Sequence, residues 1–374
     1  MKRIGIYGAT GNVGLEAIES LLNHQWFEIS HLYASERSAG KRYMDACPLD
    51  VSHLPRSISE IVVEPTDMKN IPTDIDIAFF ALAEDIAKEY ERKYAPEFAK
   101  SLAVITTSSA LRMDPRIPLI ITEVNADHAR LSEYNKIKIF PQCNCTAVPL
   151  TMALKPLQYT VGIEMVFMDS YQSVSGAGAG AVRNWAVERA KSELGKMPEP
   201  FPSGIGENPE VVYEGNVRPI GERDSRDEEK KVVEETLKML GEYKDGKIVP
   251  ADFQLDCMCN RVPTLRGHFE HIRVKPKKSC TAEDILSIYQ EFNERSKELY
   301  GGLPSSPEQA LVILDRQPQV RYDVSIGKGM STVIGEIEIK DGWIRLRALS
   351  DNLRKGAAKG SVQVMEYLLR EGYI

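Results

Sequence analysis

The chain has 374 residues, of which 43% are hydrophobic and 27% are charged, the usual mix of a globular protein. Its 47 lysines and arginines against 54 acidic residues give a formal net charge of −7. Without a basic block, this charge excludes a nucleic-acid-binding surface. No apolar run reaches the length of about 18–20 residues that a membrane span requires. We therefore predict a cytoplasmic protein with neither a nucleic-acid nor a membrane partner.

The N-terminal part of the chain alternates between strand-like and helix-like patterns. One segment, residues 76–82, is continuously apolar, as expected for a strand that is buried on both faces. Such alternation predicts βαβ units and a parallel sheet. Strands are expected at residues 3–7, 28–34, 76–82, 102–105, 119–122 and 137–140, and helices at 13–22, 86–99 and 126–134.

The pattern changes after Thr146, where strand-like segments follow one another without a helix between each pair. This organisation predicts a mixed sheet in an α+β domain. Residues 195–226 are rich in Pro, Gly and Asn and are expected to form a loop. Strands are expected at 161–174, 253–262, 267–274, 332–339 and 343–348, and helices at 147–157, 181–194, 227–240 and 357–369.

A glycine-rich loop, Gly-Ala-Thr-Gly-Asn-Val-Gly, connects the first predicted strand to the first predicted helix. Gly8 allows the tight turn, Gly11 lets the backbone approach a pyrophosphate, and Gly14 lets the helix pack on the sheet. The phosphates then lie at the positive end of the helix. This position predicts a dinucleotide site, with a tight turn that binds no ligand as the alternative.

The loop after the second predicted strand favours NADP over NAD. An acidic residue here would hold a ribose hydroxyl, whereas cations and hydroxyls would hold a 2′-phosphate. Glu36 is outnumbered by Arg37, Lys41 and two serines.

Cys145 lies between a predicted strand and an apolar helix. A thiol at a helix N-terminus has a lowered pKa and can act as a nucleophile. Asn144 and nearby backbone N–H groups could stabilise an oxyanion. A buried inert cysteine is the alternative, and only a partner base distinguishes the two. His268 is a candidate, because it shares a strand face with Glu270.

The cysteine spacings do not match a zinc site, so no metal is predicted. The six cysteines are interpreted as thiols, because the chain is long and has no secretion signal.

Several motifs, in order from residue 4 to residue 361, resemble the aspartate-semialdehyde dehydrogenase family. The resemblance covers nearly the whole chain. The motifs are GATGxVG at residues 8–14, Glu-Val-Asn at 123–125, the NCT cysteine at 144–146, QSVSGAG at 172–178, Asn-Val-x-Pro at 216–219, RVPxxxGHxE at 261–270 and Gly-Ala-Ala at 356–358.

The resemblance implies reduction of 4-phospho-L-aspartate by NADPH to L-aspartate 4-semialdehyde and phosphate. It implies that Cys145 attacks the acyl phosphate to form a thioacyl enzyme, with His268 as general acid/base. Gln172 orients the acyl group.

The resemblance also implies how the substrate is held. Arg261 grips the α-carboxylate, and Arg112 and Lys231 hold the phosphate. Glu229, read as the first residue of a Glu-x-Lys pair, holds the ammonium group, and Asn144 is a further substrate contact. The charged run at residues 227–231 allows this pair to be displaced by one position.

The cofactor contacts that we expect fall into three groups. They are the glycine-rich loop, the 2′-phosphate loop and a group near the nicotinamide. The members are Gly8, Thr10, Gly11, Asn12 and Val13; Ser35, Arg37 and Ser38; and Ser175, Gly176 and Asn352.

The resemblance implies a Rossmann NADP-binding domain of residues 1–146 and 355–374. Residues 147–354 then form the α+β catalytic and dimerisation domain of a homodimer or homotetramer. Phe269, Cys143 and residues 204–215 depart from the family pattern.

Three other functions remain as alternatives. A malonyl-CoA reductase would use the same cysteine, histidine and arginine on a thioester, but it would need no phosphate clamp. An N-acetyl-glutamyl-phosphate reductase is more distant. A silent NADP-binding sensor would be expected to lack the thiol or the base.

Overall fold

A computed structural model describes residues 1–193, 213–220 and 228–374, with the side chain of Asp85 left out. In the N-terminal part, the strands are β1 (Lys2–Tyr7), β2 (Phe27–Ala34), β3 (Glu64–Pro65), β4 (Ile77–Phe80), β5 (Ala103–Thr106) and β6 (Ile139–Pro141). The helices are α1 (Asn12–Leu21), α2 (Tyr43–Ala46), α3 (Arg56–Ser59), α4 (Glu84–Phe98), α5 (Thr122–Asn125) and α6 (Arg130–Asn135).

These six strands form a parallel sheet in the order β3-β2-β1-β4-β5-β6. This is the strand order of a Rossmann dinucleotide-binding fold. Strands β4 and β5 are buried along their whole length, which explains why β4 is continuously apolar and β5 is apolar up to Thr106.

The second part contains α7 (Ala147–Thr160), β7 (Ile163–Ser173), α8 (Ala179–Glu193), β8 (Arg218–Pro219), α9 (Glu228–Met239), β9 (Glu242–Lys244) and β10 (Lys247–Val249). It continues with β11 (Gln254–Val262), β12 (His268–Pro276), α10 (Ala282–Tyr300), β13 (Leu311–Leu314), α11 (Val320–Asp323), β14 (Thr332–Lys340), β15 (Trp343–Ser350) and α12 (Ala358–Arg370).

A seven-stranded mixed sheet organises this second part, in the order β13-β14-β15-β12-β7-β11-β8. The helix α7 is buried on most of its circumference and packs into the core behind this sheet. A helix that is apolar all round is one that lies inside a domain. The predicted combination of a parallel Rossmann sheet and a mixed sheet is confirmed.

The last helix returns to the first sheet. Val362, Met365 and Leu368 of α12 belong to the same apolar core as Ile18 of α1. The chain therefore crosses between the two sheets twice, once before α7 and once before α12. None of the described helices is long and apolar enough to cross a membrane.

The predicted strand at residues 119–122 is wrong. The side chain of Asn125 accepts a hydrogen bond from the Ile121 N–H at 2.9 Å and donates to the Leu119 carbonyl at 2.8 Å. It thereby occupies backbone groups that a strand would offer to its neighbour. Thr122 instead begins α5.

The sequence analysis missed α10, although its start carries a recognisable signal. The Thr281 hydroxyl accepts from the Asp284 N–H while the Asp284 carboxylate accepts from the Thr281 N–H, which is a capping box. Of the predicted loop at 195–226, residues 195–212 and 221–226 lie outside the described part. The described residues 213–220 include β8.

A buried ion pair ties α12 to the first sheet's loops. Lys355 is 2% exposed, and its ammonium group donates to Glu123 at 2.6 Å and to Gln363 at 2.8 Å. We predict that Lys355→Met lowers the free energy of unfolding by about 3–5 kcal/mol, because the Glu123 charge is left buried without its partner. Urea unfolding measures this change.

Adding Glu123→Leu to the Lys355→Met variant should restore most of that loss, since no buried charge remains. Lys340→Met, at an exposed position, is the control and should change stability by less than about 0.5 kcal/mol. If Lys355→Met is as stable as this control, the ion pair does not stabilise the fold.

Candidate active site

A cysteine and a histidine from different parts of the fold meet between the two sheets. Cys145 lies between β6 and α7, and His268 is the first residue of β12. The Cys145 Sγ lies 3.2 Å from the His268 Nε2. A Cβ atom at Gly356 would come within 2.9 Å of the Cys145 Cβ, so this position requires glycine for the close approach. The cysteine therefore has a histidine partner at hydrogen-bond distance.

The hydrogen bonds of His268 assign its proton. The Ser173 N–H donates to Nδ1 at 3.2 Å, so Nδ1 is an acceptor and the proton lies on Nε2. Burial and the nearby Arg261 guanidinium lower the pKa of His268 to about 3. The ring is therefore neutral near pH 7, and its Nε2–H donates to the Cys145 sulfur.

The thiol of Cys145 is protonated in this environment. Burial and, after it, the Glu228 carboxylate raise its pKa to about 12, while Arg261 and Arg112 act in the opposite direction. The predicted lowering of its pKa by the helix N-terminus is therefore wrong for the ligand-free chain, because desolvation dominates. Cys143 is fully buried, which also raises its pKa.

Three predicted site residues lie side by side on adjacent strands. Arg261 of β11 pairs with Gln172 of β7, and the register of β7 with β12 places His268 next to Gln172. Arg261 is 7% exposed and donates to the Ser173 carbonyl at 2.8 Å. A Cβ at Gly176 would lie 2.7 Å from its Nη1, so glycine makes room for the guanidinium. Gln172 donates to the Ser170 hydroxyl at 3.2 Å.

Asn352 links the predicted cofactor residues to the histidine strand. Its Oδ1 accepts from the Ser173 hydroxyl at 3.1 Å and from the Gly267 N–H at 2.9 Å. Its Nδ2 donates to the Ser175 hydroxyl at 3.0 Å. The network fixes Gly267 and Ser173, which flank and contact His268.

Helix α9 places Glu228, rather than the predicted Glu229, beside the cysteine. The Glu228 carboxylate accepts from the Asn144 side-chain amide at 3.0 Å. The Glu229 carboxylate instead accepts from the Cys259 N–H on β11 at 2.9 Å. Residues three apart lie on the same helix face, so Glu228 and Lys231 point to one side. The geometry therefore favours Glu228 with Lys231, a pair with a spacing of three in place of the predicted Glu-x-Lys spacing of two.

Arg112 is held close to the cysteine loop by Glu235. Its Nη1 donates to Glu235 at 3.0 Å, and its Nη2 donates to the Thr107 carbonyl at 2.9 Å. The other Glu235 oxygen accepts from the Asn144 N–H at 2.5 Å. The ion pair raises the pKa of Arg112 against the effect of burial. The buried Glu235 carboxylate thus orients both Arg112, a predicted phosphate ligand, and Asn144, the residue before Cys145.

The glycine-rich loop has the close backbone contacts that a pyrophosphate cradle requires. Gly8 has φ +84°, and a Cβ there would lie 2.3 Å from the Ala81 carbonyl oxygen. A Cβ at Gly14 would lie 2.3 Å from the Gly8 carbonyl oxygen. Helix α1 begins at Asn12, with Gly11 before it and Val13 in its first turn. Thr10 lies half-buried in the loop itself.

The predicted 2′-phosphate residues follow β2, next to the end of β1. The Ser38 N–H donates to the Ser35 carbonyl at 2.8 Å and closes a turn. Ser35 and Arg37 are exposed and Ser38 is half-buried. The residues present therefore fit a dinucleotide whose pyrophosphate lies at α1 and whose ribose lies at the end of β2.

Sequence reasoning missed several residues that build this site. Glu235 and Glu228 lie on α9, and Gly356 and Ser173 contact the Cys–His pair. For Glu235 the signal was its position seven residues after Glu228, on the same helix face. For Gly356 it was the Gly-Ala-Ala motif, whose contact with Cys145 depends on the fold. Within the described residues, no group of three His, Cys, Asp or Glu side chains could hold a metal ion.

Together, the Rossmann sheet and the glycine cradle define a dinucleotide-dependent oxidoreductase, with a Cys–His pair between its two sheets. Two family profiles match the chain. Residues 3–132 match "Semialdehyde dehydrogenase, NAD binding domain", and residues 154–355 match "Semialdehyde dehydrogenase, dimerisation domain". The chain belongs to the semialdehyde dehydrogenase family.

Individual relatives are similar to the chain over nearly its full length. The chain is 34% identical to an aspartate-semialdehyde dehydrogenase of Archaeoglobus fulgidus, over 99% of both chains. It is also similar to the crystal structure of aspartate semialdehyde dehydrogenase with NADP from Candida albicans, with a TM-score of 0.80, 27% identity and full coverage of both chains. A malonyl-CoA reductase (NADP) of Metallosphaera sedula is 28% identical, over 100% of this chain and 98% of its own.

The effect of Glu228 on the thiol can be measured by alkylation. We predict that Glu228→Gln raises the rate of Cys145 alkylation by iodoacetamide at about pH 8 by about 3- to 10-fold. Removing the negative charge lowers the pKa of the thiol, because the Glu228 carboxylate is one of the groups that raise it. In the unsubstituted protein, the rate should rise continuously from about pH 7 to about pH 10, because the thiol pKa lies well above that range. Mass spectrometry identifies the modified cysteine.

Glu229→Gln is the matched control and should leave this rate unchanged, because Glu229 contacts β11 instead. Equal acceleration by the two substitutions would contradict the placement of Glu228. A rate that levels off below about pH 8 would contradict the raised pKa of Cys145.

Proposed function

We propose that the protein is an NADP-dependent aspartate-semialdehyde dehydrogenase, which converts 4-phospho-L-aspartate and NADPH into L-aspartate 4-semialdehyde, NADP and phosphate. The observation that carries this proposal is the Cys145–His268 contact at 3.2 Å within reach of Arg261 and the Arg112–Glu235 pair. The full-length similarity to aspartate-semialdehyde dehydrogenases supports it.

In the first half of the reaction, Cys145 is the nucleophile. Its sulfur bonds to the acyl carbon, the bond from that carbon to the phosphate oxygen breaks, and the thiol proton leaves with the phosphate. The Nε2–H of His268 points at the sulfur and stabilises the negative charge that develops there. The product is a thioester on Cys145.

In the second half, NADPH supplies a hydride to the thioester carbon. The Nε2–H of His268 then donates to the oxyanion on that carbon. The carbonyl reforms as the carbon–sulfur bond breaks, and the Cys145 thiolate takes up one proton from solvent. This assigns to His268 hydrogen-bond donation, which is narrower than the acid/base role that the resemblance implies.

The substrate carries three charged groups, and the site has a partner for each. Arg261, on the strand next to Gln172, suits the α-carboxylate, which its guanidinium can hold with two hydrogen bonds. Glu228 suits the ammonium group, in place of Glu229. Arg112 and Lys231 suit the phosphate. Asn144 lies between the carboxylate of Glu228 and the nucleophile.

The cofactor contacts and the assembly are further parts of the proposal. Ser175, Gly176 and Asn352 lie against the His268–Arg261 side of the site, as nicotinamide contacts should. We propose domains of 1–146 with 355–374, and of 147–354, which the packing of α12 against α1 supports. The match of residues 154–355 to a dimerisation domain supports a homodimer or homotetramer, which we propose to be cytoplasmic.

A malonyl-CoA reductase is the second candidate, and the similarity to the Metallosphaera protein favours keeping it. A thioester substrate has no acyl phosphate, so it needs neither Arg112 nor Lys231 as phosphate ligands. Turnover with inorganic phosphate separates the two reactions.

The proposal is tested with purified protein, L-aspartate 4-semialdehyde, NADP and phosphate. We expect phosphate-dependent reduction of NADP, lowered more than about 1,000-fold in Cys145→Ala because the acyl carrier is lost. Cys143→Ala is the control and should keep most of the activity. Oxidation of NADPH by malonyl-CoA, without phosphate-dependent turnover, would contradict the proposal.

Cofactor choice depends on the loop after β2. We predict that Arg37→Ala raises the KM for NADP by about 10- to 100-fold, which is the cost of losing a charged hydrogen bond to the 2′-phosphate. The KM for NAD should change little, because NAD lacks that group. Steady-state kinetics with both cofactors measure the ratio. An equal rise in both KM values would mean that Arg37 does not contact the 2′-phosphate.

A further inference from the structure

A basic cavity lies beside the active site, and the mechanism above uses only Arg112 and Lys231 of its lining. Its volume is about 860 Å³, and it is bounded by the C-terminal half of α4, the loop after β5, the start of β6 and the first turns of α9. Cys145, His268, Gln172 and Arg261 do not line it. Arg112, Lys231 and Glu235 do, so the cavity adjoins the proposed phosphate clamp.

The charge of this cavity is opposite to that of the chain. Eight basic and three acidic side chains line it, which leaves a net positive charge of five. The whole chain has a formal net charge of −7. A cleft lined by one sign of charge focuses the field and raises the local concentration of a ligand of the other sign. The cavity therefore selects for anions.

The pairing of the lining cations supports a ligand role. Lys88 and Lys231 both approach Glu84, which does not line the cavity. Lys100 pairs with Glu97, Arg112 with Glu235 and Arg116 with Asp114. Among the described residues, Arg92 and Lys136 have no acidic partner, and both are exposed at the cavity. These two cations are available to an anion.

The cavity is tied to the phosphate clamp by two contacts. The Arg92 Nε donates to the Ala110 carbonyl at 3.2 Å, in the loop that carries Arg112. Arg112 is about nine-tenths buried, and within the described residues its Nε–H has no hydrogen-bond partner. A buried donor without a partner is costly unless a ligand or water satisfies it. A phosphoryl oxygen is a suitable acceptor.

We propose that this cavity is an anion-binding antechamber, in which Arg92 and Lys136 hold a phosphoryl group before it reaches Arg112 and Lys231, and again as phosphate leaves. The inference rests on the proposed function, because it assumes that a phosphoryl group crosses this path. Its size accommodates the whole substrate, since ligand sites commonly have volumes of about 300–1,000 Å³.

Binding of inorganic phosphate to the ligand-free protein tests the antechamber without using activity. Isothermal titration calorimetry compares the unsubstituted protein with Arg92→Gln/Lys136→Gln. The matched control is Arg56→Gln/Lys247→Gln, which removes the same two charges from exposed positions outside the cavity. We expect phosphate affinity to fall by about 3- to 10-fold in the cavity variant and not in the control. Equal affinity in the two double variants overturns the proposal.

Kinetics in the oxidative direction provide the second arm. The cavity variant should raise the KM for phosphate by a similar factor and leave kcat within about twofold, because rim charges act on binding and association. Raising the salt concentration from about 0.05 to about 0.5 M should increase the KM for phosphate less in the cavity variant than in the control. The reason is that the cavity variant has fewer positive charges for the salt to screen. A lowered kcat with an unchanged KM overturns the proposal.

The outcomes separate this inference from the proposed function. If phosphate binding falls in the cavity variant but the protein shows no phosphate-dependent turnover, the proposed function fails and the anion site stands. If turnover depends on phosphate and the two double variants behave alike, the proposed function stands and the antechamber fails. Binding of CoA, but not of phosphate, through Arg92 and Lys136 would also overturn it, because the occupant would be a larger phosphorylated ligand.

Discussion

The contact between Cys145 and His268 depends on how the two sheets are joined. The cysteine follows the edge strand of the parallel sheet, whereas the histidine begins a central strand of the mixed sheet. Neither sheet contains both reacting groups, so their distance is set by the packing between the sheets. Gly356 allows the close approach, and Lys355 beside it is fixed by the buried pair with Glu123. The return of α12 to the first sheet therefore completes the apolar core and also helps to position Cys145 next to His268.

Buried charge is the second feature of the site. Arg112, Arg261 and Glu235 are all less than a tenth exposed, and each is held by hydrogen bonds to backbone or side-chain partners. Burying charges is unfavourable unless they are paired. The benefit is that these dipoles and charges are already oriented before the substrate arrives. The same burial raises the pKa of the Cys145 thiol and lowers that of His268, so in the proposed reaction the thiol proton leaves with the phosphate.

The sequence predicted the Rossmann part well, because its strands are buried on both faces and its glycine loop stands at a strand–helix junction. The sequence-based prediction was wrong where a single side chain determines the backbone conformation. Asn125 takes the hydrogen bonds that would have made residues 119–122 a strand. The start of α10 carried a capping box that was overlooked, and the short elements β9, β10, β13 and α11 were not predicted either, whereas the mixed sheet itself was predicted from consecutive strands.

For the site, the motifs predicted which residue types take part but not which neighbours hold them. Five charged residues in a row at 227–231 give no sequence signal that distinguishes Glu228 from Glu229. Only the orientation of α9 against Asn144 and Cys259 does so. Glu235 was missed for the same reason, because its partners are distant in sequence. The basic cavity likewise depends on packing, since its cations come from four separate segments.

The central claim of this account is that Cys145 carries the acyl group while His268 faces its sulfur. The most direct measurement mixes the protein with 4-phospho-L-aspartate in the absence of NADPH and determines the intact mass and the released phosphate. The account predicts one aspartyl group per subunit on Cys145, and one phosphate released for each. Phosphate release without an adduct, or an adduct on another cysteine, would contradict it.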